Sequence, residues 1–204
     1  MIIVNFATNA YQSGQQRLAK SIRGYQVLLF DKYQAIGSPS HQESPYEFKI
    51  HAIEKAFERD NIVIWCDASM YCVGDLSIIE NIIKQDGYFM SEAGHYVRDW
   101  CKPETLQYFG ITKETDFIMF SAGFLGLDKT NATAMEWFSK WKQSALDGHF
   151  KGDWSNHRHD MTCGSIIAQQ MGMKFQRGGQ HMSYIGPGYS TPEPNSVFHL
   201  QGML

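Results

Sequence analysis

The chain has 204 residues, enough for one domain with a substantial core, and its 43% hydrophobic and 14% aromatic content excludes a disordered protein. A formal net charge of -3 without a basic run gives no case for nucleic acid as a partner, and no apolar stretch reaches the length of a membrane span. The start, Met1-Ile2-Ile3-Val4-Asn5-Phe6, lacks a signal peptide's charged head and long apolar middle. Cys66, Cys72, Cys101 and Cys163 show no paired CxxC spacing, so the expectation is reduced buried thiols, no zinc site and a cytoplasmic location.

Strands and helices alternate along the chain, which predicts an α/β fold. A strand over 2–6 precedes a helix over 15–23, and an apolar strand over 26–30 runs directly into Asp31. After a polar loop with Gly37, Pro39 and Pro45, Ser44 reads as an N-cap, Pro45 as the first helical position and Glu47 as the completion of a capping box. Tyr46, Ile50, Ile53 and Phe57 recur on one face of that helix, which would pack on the sheet.

The run Ile62-Val63-Ile64-Trp65-Cys66-Asp67-Ala68-Ser69 is the most informative segment. It reads as a strand buried on both faces, with a carboxylate at its end and a hydroxyl two residues later. Open α/β sheets hold ligands at that edge, so Asp67 and Ser69 can face a divalent cation; the plainer alternative is a strand-end Asp that caps the next loop.

Beyond it, Asp75 caps a helix carrying Ile78, Ile79, Ile82 and Ile83, and Pro103 opens a short helix that Gly110 ends. A buried strand over 117–127 is expected, interrupted at Ala122-Gly123. Thr130 is expected to cap the helix bearing Ala134, Trp137, Phe138 and Trp141. A helix over 161–171 stops at Gly172, with Asp160 placed as its N-cap beside His157, Arg158 and His159, a polar cluster that a cap does not require. Residues 177–195 read as loop and 197–200 as a last strand. No repeat or linker is visible, and nothing specifies an oligomeric state.

Six segments stand in a telling order. They are Ile3-Val4-Asn5-Phe6-Ala7-Thr8-Asn9-Ala10-Tyr11-Gln12-Ser13-Gly14, Tyr46-Glu47-Phe48-Lys49, Ile64 to Ser69, Ser121-Ala122-Gly123-Phe124, His159-Asp160-Met161-Thr162 and Val197-Phe198-His199-Leu200-Gln201-Gly202. Together they resemble the nucleotide-sugar-dependent glycosyltransferases of the GT-A fold, most nearly the glycogenin and galactosyltransferase group. The resemblance implies a mixed, mainly parallel Rossmann-like sheet flanked by helices, in a minimal single domain over 1–204. It implies a hexose moved from a UDP-sugar donor to a saccharide or other hydroxyl acceptor, with Mn²⁺ or Mg²⁺ as cofactor and the anomeric configuration retained.

By the same resemblance, Thr8, Asn9 and Tyr11, with Ala7 beside them, would surround the uracil, and Ala68 and Gly123 would lie along the donor. Asp67 and Ser69 would stand at the Asp-x-Asp metal motif, and His199 would supply a metal-binding imidazole, with His181 as its competitor. Asp160 would be the acid near the reacting sugar.

The chemistry asks for these residue types. The leaving diphosphate gains negative charge, which a cation held by hard oxygen ligands stabilises as a Lewis acid. Lys49, near a helix start, would add positive charge close to the phosphates. Tyr11 offers a flat face to a base, and Asp31 could hydrogen-bond uracil or ribose. Each residue has a plainer alternative: core packing for Tyr11, a solvated helix charge for Lys49, a strand-end residue for Asp31, a hydrogen-bonded core histidine for His199 and a solvated loop pair for His157 and His159.

Two features depart from the family's pattern. Ser69 replaces the second Asp, and no Lys-Pro-Trp follows Gly202 within the sequence. Little is left to bind an acceptor beyond the Trp100 region and the loops over 178–194. The alternatives are a metal-dependent phosphohydrolase of the haloacid dehalogenase type, which would need a second Asp where Ser69 stands, and a non-catalytic carbohydrate- or nucleotide-binding protein of the same fold.

Overall fold

The computed structural model describes residues 1–186 and 193–201. Strand β1 (Ile2–Phe6) leads through helix α1 (Gln12–Ser21) to β2 (Gln26–Phe30), and the short α2 (Tyr33–Ile36) and α3 (Phe48–Phe57) lead to β3 (Ile62–Cys66). Then come β4 (Met70–Cys72), α4 (Ser77–Asp86), β5 (Tyr88–Tyr96), α5 (Pro103–Tyr108), β6 (Ile118–Asp128), α6 (Ala132–Leu146), α7 (His159–Gln170), β7 (Met182–Tyr184) and β8 (Phe198–Leu200). Five strands form one sheet in the order β2-β1-β3-β6-β5, and β4-β8-β7 form a second. In the five-stranded sheet β1 pairs parallel with β2 and β3, while β6 runs antiparallel to both β3 and β5. Four of its strands therefore point one way, and the sheet is mixed but mainly parallel.

Alternation along the central strands feeds two cores. Ile2, Val4 and Phe6 of β1, with Val63 and Trp65 of β3, pack against α3, α6 and α7. Ile3, Ile64 and Cys66 face the other way, towards Leu18 of α1, Ile79 and Ile83 of α4, and Phe198 of β8. Every residue of β1 and β3 is buried, which is why both read as continuous apolar runs. Each such aliphatic or aromatic side chain contributes about 1.5–3 kcal/mol relative to leaving it exposed. One polar residue interrupts β1: the Asn5 amide donates to the Cys66 carbonyl (2.6 Å) and accepts from the Gln15 amide (2.9 Å). It ties the carboxyl ends of β1 and β3 to α1, fixing the edge where the loops of interest begin.

Several local expectations are met. Pro103 is at the start of α5, the Asp75 carboxylate accepts from the Ser77 N–H (2.9 Å), and α7 gives way to Gly172 at a positive φ of 68°. All four cysteines are free thiols, and three of them are buried.

Others are corrected. No capping box forms at Ser44: α3 starts at Phe48, and the Ser44 hydroxyl is buried without a partner among the described residues. The cause lies at Tyr46, whose φ of 61° breaks the helical path between the two box residues. Helix α1 begins earlier than 15 and ends at Ser21. Asn131, not Thr130, caps α6, its side chain accepting from the Ala134 N–H at 3.0 Å. That amide fills the space beside Gly87 (φ 87°), where an added Cβ would lie 2.1 Å from it. Strand β6 is continuous through Ala122-Gly123. Asp160 is not an N-cap: it sits within the first turn of α7, which has no side-chain cap. Strand β7 lies in the stretch read as loop, and residues 187–192 and 202–204 of the expected tail, including Gly202 of the closing motif, fall outside the described residues.

Candidate functional site

The loops that follow β1 and β3 leave the sheet side by side and enclose a cavity of about 300 Å³. Ala7, Thr8 and Tyr11 line it from the first loop, and Asp67, Ala68 and Ser69 from the second. Aromatic rings supply most of the remaining wall: Phe6, Tyr33, His41, Tyr46, Phe48 and Trp65. Phe6 packs against both Tyr33 and Phe48, with ring centres 4.7 and 4.9 Å apart. Such a slot suits a flat, partly apolar ligand, with the polar loop residues at its rim.

Beneath this wall lies a charged group of three. The Lys49 ammonium is buried 2.9 Å from Asp160 Oδ2 and 3.4 Å from Asp67 Oδ1, and it donates to the Ala122 carbonyl at 2.9 Å. It also lies 5.0 Å from the ring centre of Tyr46 and 5.6 Å from that of Trp65. Burial works against charge on Lys49, but Asp160 and Asp67 outweigh it and raise its pKa above lysine's ordinary value. Burial likewise raises the Asp160 carboxyl above its usual range, with Lys49 pulling the other way. Tyr46, pushed up to about 12 by burial and then by Asp160, remains a neutral phenol over the pair.

Each position has a local cause. Asp67 stands one residue past β3, where its N–H donates to the Gly123 carbonyl (2.7 Å) and prolongs the β3–β6 pairing. Trp65, two residues earlier and hence on the same face, donates its indole N–H to Asp67 Oδ1 at 2.8 Å. A Cβ on Gly123 would come 3.0 Å from Asp67 Oδ2, so the glycine keeps clear the side of the carboxylate that Trp65 and Lys49 do not hold. The left-handed backbone of Tyr46 turns its ring over Lys49 and towards His159, 5.2 Å away.

The structure thus brings together Ala7, Thr8, Tyr11, Asp67, Ala68 and Ser69 around one cavity, with Lys49, Gly123 and Asp160 against Asp67 or Lys49 behind it. The others stand apart. Asn9 and Asp31 are exposed and do not line the cavity, although Asn9 is in the same loop at a φ of 50°. His199 pairs across β4–β8 with Tyr71, whose hydroxyl lies 3.3 Å from its Nδ1, and it does not line the cavity. His181 packs against Phe89 in the core, 5.8 Å between ring centres. No cluster of three or more His, Cys, Asp or Glu suited to a metal exists among the described residues. Sequence reading missed the wall residues Tyr33, His41 and Trp65; the aromatic density between 25 and 65 was the available signal.

A divalent ion is compatible with this donor set in one form. Asp67 Oδ2 and the Ser69 hydroxyl are few ligands, but Mg²⁺-type sites commonly combine one or two carboxylates with waters and substrate phosphates. The three charges, two of them buried, sum to one negative, so the chain offers a cation more than it offers an anion.

No protein-family model and no curated protein matches the chain by sequence. Among solved structures, apo WbbM, a bifunctional glycosyltransferase, matches 98% of this chain with a TM-score of 0.60 at 11% identity, and this chain spans 45% of its length. Apo mouse xyloside xylosyltransferase 1 matches with a TM-score of 0.57 at 8% identity, covering 98% of each chain. Among the described residues no helix is long and apolar enough to cross a membrane. The chain has a mixed α/β fold similar to that of these glycosyltransferases.

Proposed function

We propose that the chain is a glycosyltransferase that moves a hexose from a UDP-sugar to a saccharide or other hydroxyl acceptor, with the anomeric configuration retained. The observation that carries this reading is Asp67 at the carboxyl end of β3, facing an aromatic cavity and held by Trp65 and Lys49. Uracil would enter between Thr8 and Tyr11 and the aromatic wall, and the diphosphate would lie along Asp67-Ala68-Ser69. Asp67 and Ser69 would hold Mn²⁺ or Mg²⁺, which would supply Lewis-acid stabilisation of the leaving charge. His199 stays out of this ligand set.

In the transfer, the bond from the anomeric carbon to the diphosphate oxygen breaks. The acceptor oxygen bonds to that carbon and passes its proton to the departing diphosphate oxygen, which has taken the electron pair of the broken bond. Lys49 fixes the Asp67 carboxylate in place and balances Asp160. Asp160, buried behind Lys49, acts on the site through that lysine and positions the machinery without touching substrate.

Thermal unfolding with Mn²⁺ and UDP tests the reading. The pair should raise the melting temperature by linked binding, and Asp67→Ala should abolish the rise. An unchanged rise in that variant would remove Asp67 from the site. Hydrolysis of UDP-sugars measured beside p-nitrophenyl phosphate separates this reading from the phosphohydrolase, and the anomeric signal of the product by NMR tests retention. The buried position of Asp160 favours one second reading, a nucleotide-binding protein without turnover. UDP binding with no donor consumed under any condition would support it.

A further inference from the structure

Next to the cavity, on the side of α7, two indoles hold a guanidinium between them. Arg158 Cζ lies 3.9 Å from the ring centre of Trp100 and 4.0 Å from that of Trp154. The Trp154 side of this stack is open, since Trp154 is 51% exposed. Its ring stacks on His159 (5.7 Å, 22°) and approaches Tyr46 at 6.1 Å. Because Tyr46 also lines the cavity, one aromatic surface runs from the cavity wall to Trp154.

The two indoles are the side-chain partners that the structure shows for Arg158, and its Nε is buried without an acceptor among the described residues. An indole beside the guanidinium offers it no hydrogen-bond acceptor, so its donor-bearing edge is left for an anion. The stack is not needed to fasten this turn. The Arg158 N–H (3.1 Å) and the Thr162 hydroxyl (2.7 Å) already donate to the Trp100 carbonyl. A flat exposed indole matches the apolar C–H face of a pyranose ring, and the unpaired guanidinium edge matches a negative group on it.

We propose that Trp154 and Arg158, backed by Trp100, form the acceptor subsite, and that the acceptor is a saccharide bearing an anionic group, carboxylate or phosphate. The sugar ring packs on Trp154 and its anion meets the Arg158 edge, with a hydroxyl directed past Tyr46 to the donor cavity. The acceptor role rests on the nucleotide-sugar reading above; the anionic-sugar preference does not.

Tryptophan fluorescence of the intact chain, titrated with methyl β-D-glucuronide, glucose 6-phosphate and neutral methyl β-D-glucoside, tests this. At least one anionic sugar should quench emission and bind roughly tenfold or more tightly than the glucoside, a difference of about 1.4 kcal/mol. Which of the two binds distinguishes carboxylate from phosphate. Trp154→Ala should remove the quench, and Arg158→Gln should erase the anionic preference. Equal binding of all three sugars by the unaltered protein, or binding of none, overturns the proposal whatever the variants do.

The Mn²⁺–UDP thermal shift on the same preparation separates the two readings. A shift without anionic preference overturns the subsite alone. Anionic preference without a shift overturns the nucleotide-sugar reading and the acceptor role with it, while supporting the saccharide site.

Discussion

The loop after β3 and the first turn of α7 each bring one aspartate to the same lysine, under different conditions. Asp67 keeps its side chain 34% exposed on a cavity, whereas the Asp160 side chain is 4% exposed behind that cavity. Solvent and a ligand can reach the first; the second sees only Lys49 and the protein interior. Two carboxylates that look equivalent in sequence therefore divide the work. One can meet a ligand, and the other balances a buried charge so that its neighbour is held still.

The largest test of this division is Lys49→Met. It leaves Asp160 as an uncompensated buried carboxylate and should cost about 3–5 kcal/mol in urea unfolding. Adding Asp160→Asn should recover much of that loss. A loss no larger than that of an ordinary surface substitution would show that Asp160 is not a buried charge.

The second test uses pH, on the same side as Asp160. His157 donates from Nε2 to the His149 carbonyl (2.8 Å), and its Nδ1 faces the Lys102 N–H, so the ring is held neutral. Burial lowers its pKa from 6.5 to about 4. Between those values the unfolded chain binds a proton that the folded chain refuses. Stability from this group is therefore complete above pH 6.5 and falls as pH drops towards 4, by on the order of 3 kcal/mol. A His157→Gln variant should flatten that part of the pH–stability curve, and an unchanged slope would assign the acid sensitivity elsewhere.

Asp160→Asn comes next. Lys49 keeps Asp67 and the Ala122 carbonyl, so the loss should be about 1–3 kcal/mol. The Mn²⁺–UDP shift should persist, since Asp160 does not line the cavity; loss of the shift in a folded variant would place Asp160 in the binding site.

The smallest effects on stability belong to the exposed side. Asp67→Ala should cost about 1 kcal/mol, since it takes an acceptor from the Trp65 indole while solvent at the carboxylate screens its pairing with Lys49. Gly123→Ala, whose methyl would press on Asp67 Oδ2, should likewise cost little while reducing the ligand-induced shift. A variant that lost stability and kept the shift would reverse the comparison.

Some of this was legible before any coordinates. The strand ending in Asp67 shows its burial directly, because a central strand covered on both faces must be apolar throughout. Tyr46, Phe48 and Lys49 stood out together, yet the capping box read there does not form, since a backbone φ cannot be seen in a residue name. Strand β5 was not foreseen: its outer half carries Glu92, Gly94 and His95 and is partly exposed, so neither an apolar run nor a clean alternation marks it. The aromatic stack at Arg158 was invisible because Trp100 lies 58 residues away along the chain.

The sequence by itself determined the α/β alternation, the buried central strands and the place of Asp67 at a strand end, since these depend on periodicity and local chemistry. Only the tertiary structure decided that Lys49 joins Asp67 to Asp160, that His199 turns to Tyr71, and that two distant tryptophans enclose Arg158. Those contacts span loops and layers, and which charge meets which is set by how helices settle on the sheet, a quantity that no local pattern encodes.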